Sequence, residues 1–123
     1  MKVKNLKLIA NSNDDLRVIS AHLQDAIVLP SDIAHLKKNR IFLIQLNRFM
    51  WEDVEKGVFR KNKRIRCAVK FEDVSQVRTK NINQKKKNKI LECLAIKCNS
   101  TSDGDFKFNI VFAGDNLITV NTE

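Results

Sequence analysis

The apolar positions of this chain change their period once, near residue 26. Leu16, Ile19, Leu23 and Ala26 recur at three- and four-residue steps, a spacing that puts them on one face of a helix. Just upstream, Ser12-Asn13-Asp14-Asp15 offers N-cap side chains and first-turn acids. Ser12 and Asp15 stand at capping-box spacing, with Asp where Glu is usual. The pattern predicts one amphipathic helix over roughly 13–25, preceded by a short strand or extended arm over residues 3–10, VKNLKLIA.

Beyond residue 26 the period is two. AIVLPSDIAHL (26–36) reads as a strand interrupted at Pro30-Ser31-Asp32, because proline has no N–H to give a ladder. RIFLIQLNRF (40–49) follows Lys37-Lys38-Asn39, a connection of hairpin length. RIRCAVKF (64–71) alternates cleanly, with Ile65, Cys67, Val69 and Phe71 on one face and Arg64, Arg66 and Lys70 on the other. DVSQVRT (73–79), ILECLAIKCN (90–99), FKFNIVFA (106–113) and LITVN (117–121) complete the strands. Phe106, Phe108, Ile110 and Phe112 share one parity and read as core. Residues 50–62 carry no period. One helix and about seven strands, mostly in hairpin order, predict a single α+β domain over 1–123. Its sheet is expected to be antiparallel and curved, or closed into a small barrel.

Composition supports that picture and narrows the chemistry. The 123 residues are 43% hydrophobic and 30% charged, enough to bury one core and too few for two. No apolar run reaches the roughly 18–20 residues of a membrane span, and the start is a poor secretory signal. Cys67, Cys93 and Cys98 are odd in number and at no metal spacing, so they read as reduced thiols of a cytoplasmic protein. Simple alternation puts Cys93 and Cys98 on opposite faces of their strand.

Catalytic chemistry needs convergent titratable groups. The chain has two histidines, no tyrosine and three glycines. His22 lies on the polar flank of the helix, and His35 near a strand end. No nucleophile elbow, phosphate-cradling loop or zinc knuckle is present. The sequence therefore predicts no catalytic residue, no cofactor and no metal site: the protein is expected not to be an enzyme.

Charge is the informative departure. Residues 56–89 hold 13 Lys/Arg against two acids, whereas the whole chain carries a formal +9; the remainder is slightly acidic. Clustered charge creates a local field that scattered charge does not. Arg60, Lys61, Lys63, Arg64 and Arg66 form a first candidate polyanion-binding cluster, with arginines as planar bidentate donors for phosphate. Arg78, Lys80, Lys85, Lys86, Lys87 and Lys89 form a second, of which Lys85, Lys86 and Lys87, in the segment NQKKKNK (83–89), are the candidate binders. With 16 Lys and 13 Asn in the chain, an A/T-rich gene would fill an unconstrained loop in this way, so that segment reads as a solvated hairpin loop adding counterion release. In Asn47-Arg48-Phe49-Met50-Trp51-Glu52-Asp53, Phe49 and Trp51 sit where the strand pattern fails and are candidate interface aromatics.

LKLIANSNDDLRVISAHLQDAIV, NRFMWED and VFAGDNLITVNTE together resemble a family of small alphaproteobacterial proteins catalogued only as a domain of unknown function. The resemblance spans nearly the whole chain and implies a bacterial, cytosolic, single-domain protein; it supplies no activity, ligand or catalytic residue. Members of that family continue past the last strand into a helical segment, while this sequence ends at Glu123. The strand order itself suits a pleckstrin-homology-like barrel, an analogy that does not fix function. The expected function is a basic binding module meeting RNA or another nucleic-acid polyanion. The alternative is a protein–protein adaptor, with an acidic protein as partner, using a sheet edge or the Phe49–Trp51 region. No apolar anchor accompanies the lysines, so no membrane partner is expected.

Overall fold

The computed structural model describes residues 13–49, 64–82, 89–100 and 104–123. Helix α1 runs Asn13–Leu23. It stops two residues short of the periodicity because Asp25 takes a left-handed φ of 64° and donates its N–H to Cys93 O at 2.8 Å. The predicted arm at 3–10, the Ser12 cap and residues 50–62 lie outside the described residues.

Eight strands follow among the described residues: β1 (Ile27–Val28), β2 (Ile33–Leu36), β3 (Ile41–Phe49), β4 (Arg64–Phe71), β5 (Val74–Lys80), β6 (Leu91–Ser100), β7 (Phe106–Phe112) and β8 (Asn116–Thr122). The count exceeds seven because Pro30 opens a 3-10 turn that cuts one strand into β1 and β2. Both pair with β3, β1 at Asn47 and β2 over Ile41 to Ile44, opposite the side that pairs β4. From β1 the ladder continues through β6, β7 and β8 to β5. Every pairing is antiparallel, and the result is a nearly closed barrel-shaped sheet.

Two devices bring the curved sheet toward closure. The first is α1, which covers β6 where the two-residue β1 no longer does. Ser20 Oγ accepts the Ile96 N–H at 3.0 Å, while Leu16 and Leu23 enter the core; a bare strand edge is thereby hidden. The second is a corner at the start of β5. Arg40 and Asp73 both adopt φ 56°. Val74 N–H donates to Arg40 O at 2.9 Å and Glu123 N–H to Asp73 O at 3.1 Å, and the Arg40 guanidinium meets the Glu123 carboxylate at 2.9 Å. The turn between β2 and β3, the corner between β4 and β5, and the end of β8 are thus tied together.

Inside lie Phe42, Ile44, Leu91, Phe112, Ile118 and Val120, each at most 2% exposed. An aromatic chain crosses this interior: His35 to Phe42 at 6.1 Å, Phe42 to Phe71 at 6.1 Å and Phe71 to Phe108 at 5.3 Å. The last contact joins β4 to β7, which are not sheet neighbours. It therefore fixes how opposite walls of the barrel meet, in the tilted and edge-on geometries aromatic rings prefer. The inward parity read for β4 holds, with Cys67 and Val69 packed on the core and Phe71 buried.

Two expectations need correction. Cys93 and Cys98 face the same side, not opposite ones. The register slips between Cys93 and Ala95, and this bulge inserts one residue, so Leu91, Cys93 and Ile96 are buried and Cys98 packs against them. Phe106 shares the inward parity of Ile110 and Phe112 but is 46% exposed, because it opens β7 at the rim rather than in the packed middle.

Candidate polyanion-binding face

Strands β6, β7, β8 and β5 lie side by side and turn one face to the core, leaving a convex outer face. Register fixes which residues share it. One row across the four strands is Asn99, Lys107, Asn121 and Gln76. The next is Lys97, Asn109, Thr119 and Arg78, and the third is Ala95, Val111, Leu117 and Lys80. None of these twelve positions is a carboxylate. The acids bordering it, Glu92, Asp105, Asp115 and Glu123, stand at strand ends and turns.

The charges divide into two lines. Lys97 and Lys107 stand on β6 and β7, Arg78 and Lys80 on β5, and all four are exposed. The strand between, β8, has the sequence NLITVNT and carries no charge. With strands about 4.8 Å apart, the two lines are separated by about 10 to 14 Å. On the strip between them, Thr119 Oγ1 donates to Asn109 Oδ1 at 2.9 Å, which leaves the Asn109 NH2 directed away from that bond. Asn121 Oδ1 is a buried side-chain oxygen without a hydrogen-bond partner.

The opposite wall treats its cations differently. Arg66 projects outward from β4, as its parity requires, and its Nη2 meets Asp32 Oδ1 at 3.0 Å and Gln45 Oε1 at 2.6 Å. Lys70 meets Glu72 at 3.1 Å. Among the described residues, the cations on the outer face of β4 are matched by acids, while Arg78, Lys80, Lys97 and Lys107 make no ion pair. Unpaired cations with no acid between them sum to a field; paired ones largely cancel.

Of the sequence candidates, Arg66 is the one whose side chain is described. Arg64 is placed by its backbone opposite Phe49 at the far end of the β3–β4 ladder. Arg60, Lys61, Lys63, Lys85, Lys86, Lys87 and Trp51 lie outside the described residues. The segment 83–88 is bracketed by Ile82, just past Lys80, and by Lys89, just before β6, so its flanks stand at the Lys80 end of the face. Sequence reasoning missed Lys97, Lys107, Asn109 and Thr119. For Lys107, Asn109 and Thr119 the signal is the outward parity of β7 and β8, readable once the inward residues of each strand are known; Lys97 on β6 is turned outward by the slip after Cys93.

The histidines and thiols offer nothing comparable. His22 Nδ1 lies 2.8 Å from Val18 O, one helical turn back, and His35 packs edge-on against Phe42. Burial pushes the Cys93 thiol up to about 11, and burial also raises that of Cys98. A thiol raised in the folded state favours the protonated form, so its contribution to stability is complete below the unfolded value of 9.0 and is lost as pH rises toward 11. Cys93 is therefore expected to resist iodoacetamide at pH 8 in the folded protein and to react once urea unfolds it, as mass spectrometry of the labelled peptide will read. Rapid native-state labelling would contradict its burial. No group of three or more His, Cys, Asp or Glu capable of holding a metal ion occurs among the described residues, and no helix among them is long and apolar enough to cross a membrane.

Fold and surface together define a class: a small antiparallel barrel with one edge-covering helix and a carboxylate-free, cationic outer face. The family is shown more directly. The chain belongs to the family described as Protein of unknown function (DUF2948), which matches residues 6–123. No curated protein and no solved structure matches it.

Proposed function

We propose that this protein is a non-enzymatic binding module that takes the sugar-phosphate backbone of nucleic acid on the outer face of β6, β7, β8 and β5. The observation that carries the reading is the row structure of that face: four exposed cations, four amides, one hydroxyl and no carboxylate among twelve outward positions. Phosphate oxygens accept hydrogen bonds from lysine, arginine, asparagine, glutamine and threonine alike, and a carboxylate would repel them. Ile82 and Lys89, which flank the segment holding Lys85, Lys86 and Lys87, stand at one end of this face. Arg64 stands by its backbone at the far end of the β3–β4 ladder, whereas Arg66 is already engaged by Asp32.

The test is a salt titration with mixed RNA and DNA oligonucleotides, read by fluorescence anisotropy. Displacing counterions from several phosphates makes log K fall linearly with log salt, with a slope near −0.9 per phosphate on a duplex. Four contacts give a slope of about −3.6, or roughly a hundredfold loss between 50 and 200 mM salt. A flat response, or no binding at 50 mM, sinks the proposal.

A protein–protein adaptor is the second reading. It is favoured by the sheet's two ends: among the described residues β4 pairs only β3, and β5 pairs only β8. Strand edges of this kind accept an added strand.

A further inference from the structure

We infer that the ligand of this face is double-helical RNA, gripped by two backbone strands across its minor groove. The inference rests on the nucleic-acid reading above and deepens it. Three features of the face carry it.

The first is what the face lacks. Proteins that hold single strands stack unpaired bases on aromatic side chains. Every phenylalanine of β7, Phe106, Phe108 and Phe112, takes the inward parity, and none of the twelve outward positions is aromatic. Such a face gives an unstacked base nothing to lie on, so its ligand keeps its bases stacked on one another.

The second is the division of charge. A single backbone would be met by one continuous line of cations. Here Lys97 and Lys107 are separated from Arg78 and Lys80 by the uncharged β8, about 10 to 14 Å across. Two lines at that separation face two backbones, one on each side of a groove.

The third is the strip between the lines. It sits on the convex side of the sheet, which cannot enter the deep, narrow major groove of A-form RNA but rests on its wide, shallow minor groove. That groove displays 2′-hydroxyls, which both donate and accept. The Asn109 NH2 is a donor turned from Thr119 and stands ready to meet one of them. DNA has no 2′-hydroxyl, and its minor groove, about 6 Å wide, is narrower than the separation of the two lines.

The experiment compares a 20-base-pair RNA duplex, the DNA duplex of the same sequence and one unstructured RNA strand of that length. The full chain is titrated by anisotropy at 100 mM salt. The RNA duplex is expected to bind at least about tenfold tighter than either of the others, as two engaged lines against one require on counterion grounds. Arg78→Gln with Lys80→Gln, and separately Lys97→Gln with Lys107→Gln, should each lower the duplex salt slope by about two and bring its affinity near that of the single strand. Asn109→Ala should reduce the preference for RNA over DNA about 3- to 10-fold, the worth of one hydrogen bond, and leave the slope unchanged. Circular dichroism matching the wild type certifies each variant. Equal or tighter binding of the single strand, or of DNA, overturns the inference and leaves the nucleic-acid reading standing. No binding to any of the three overturns both.

Discussion

Ile118→Lys is expected to yield no folded protein, whereas Leu117→Lys, one residue earlier, is expected to fold and to bind polyanions more tightly. Ile118 is 0% exposed and stands among the inward residues of the barrel. A lysine there must either keep its charge in apolar surroundings or give up its proton, and each route costs several kcal/mol. That is comparable to the whole stability of a domain this size, about 5–15 kcal/mol. Leu117 points outward between Val111 and Lys80. Its lysine stays solvated, adds a fifth cation to the face, and steepens the salt slope by about one. Far-UV circular dichroism and an RNA titration check the pair. A folded Ile118→Lys protein beside an unfolded Leu117→Lys protein would mean that the β8 register is displaced by one residue.

Phe42→Ala is expected to cost about 3–5 kcal/mol, the usual range for a buried aromatic truncated to alanine. Phe42 is 1% exposed and is the link between His35 and Phe71 in the aromatic chain across the barrel. Its loss removes apolar area and also leaves a cavity beside Phe71, whose contact with Phe108 joins walls that are not sheet neighbours. Phe106→Ala provides the contrast, since its ring is half in water at the rim; a change below about 1 kcal/mol is expected. Urea denaturation with an unchanged m-value measures both. A loss at Phe42 no larger than at Phe106 would remove the aromatic chain from the account of barrel closure.

These two results and the RNA titrations bear on one question, which surface the fold holds rigid. The outward cations stand on strands whose other face is packed, so their spacing is set by the ladder and not by loop conformations. Preorganised donors lose less freedom on meeting a ligand. Arg78 and Lys97 are donors of this kind.

Much of the fold was legible because apolar period reports burial directly. Leu16, Ile19 and Leu23 announced a helix. The alternation of RIRCAVKF placed Arg66 outward and Val69 inward, and the proline at 30 marked the break between β1 and β2. What the chain could not announce is where alternation slips. Counting by twos from Leu91 and Cys93 puts Lys97 in the core, and counting from Val74 does the same to Arg78 and Lys80. One bulge after Cys93 and another after Val74 turn all three outward. A bulge is a decision of pairing: two residues on one strand oppose one on its neighbour, so its position depends on the partner's register and not on local propensity. The sequence by itself determined one helix, an antiparallel sheet and a strongly basic middle. Only the tertiary structure decided which cations share a face, because that rests on the slip of β6 against β7 and of β5 against β8.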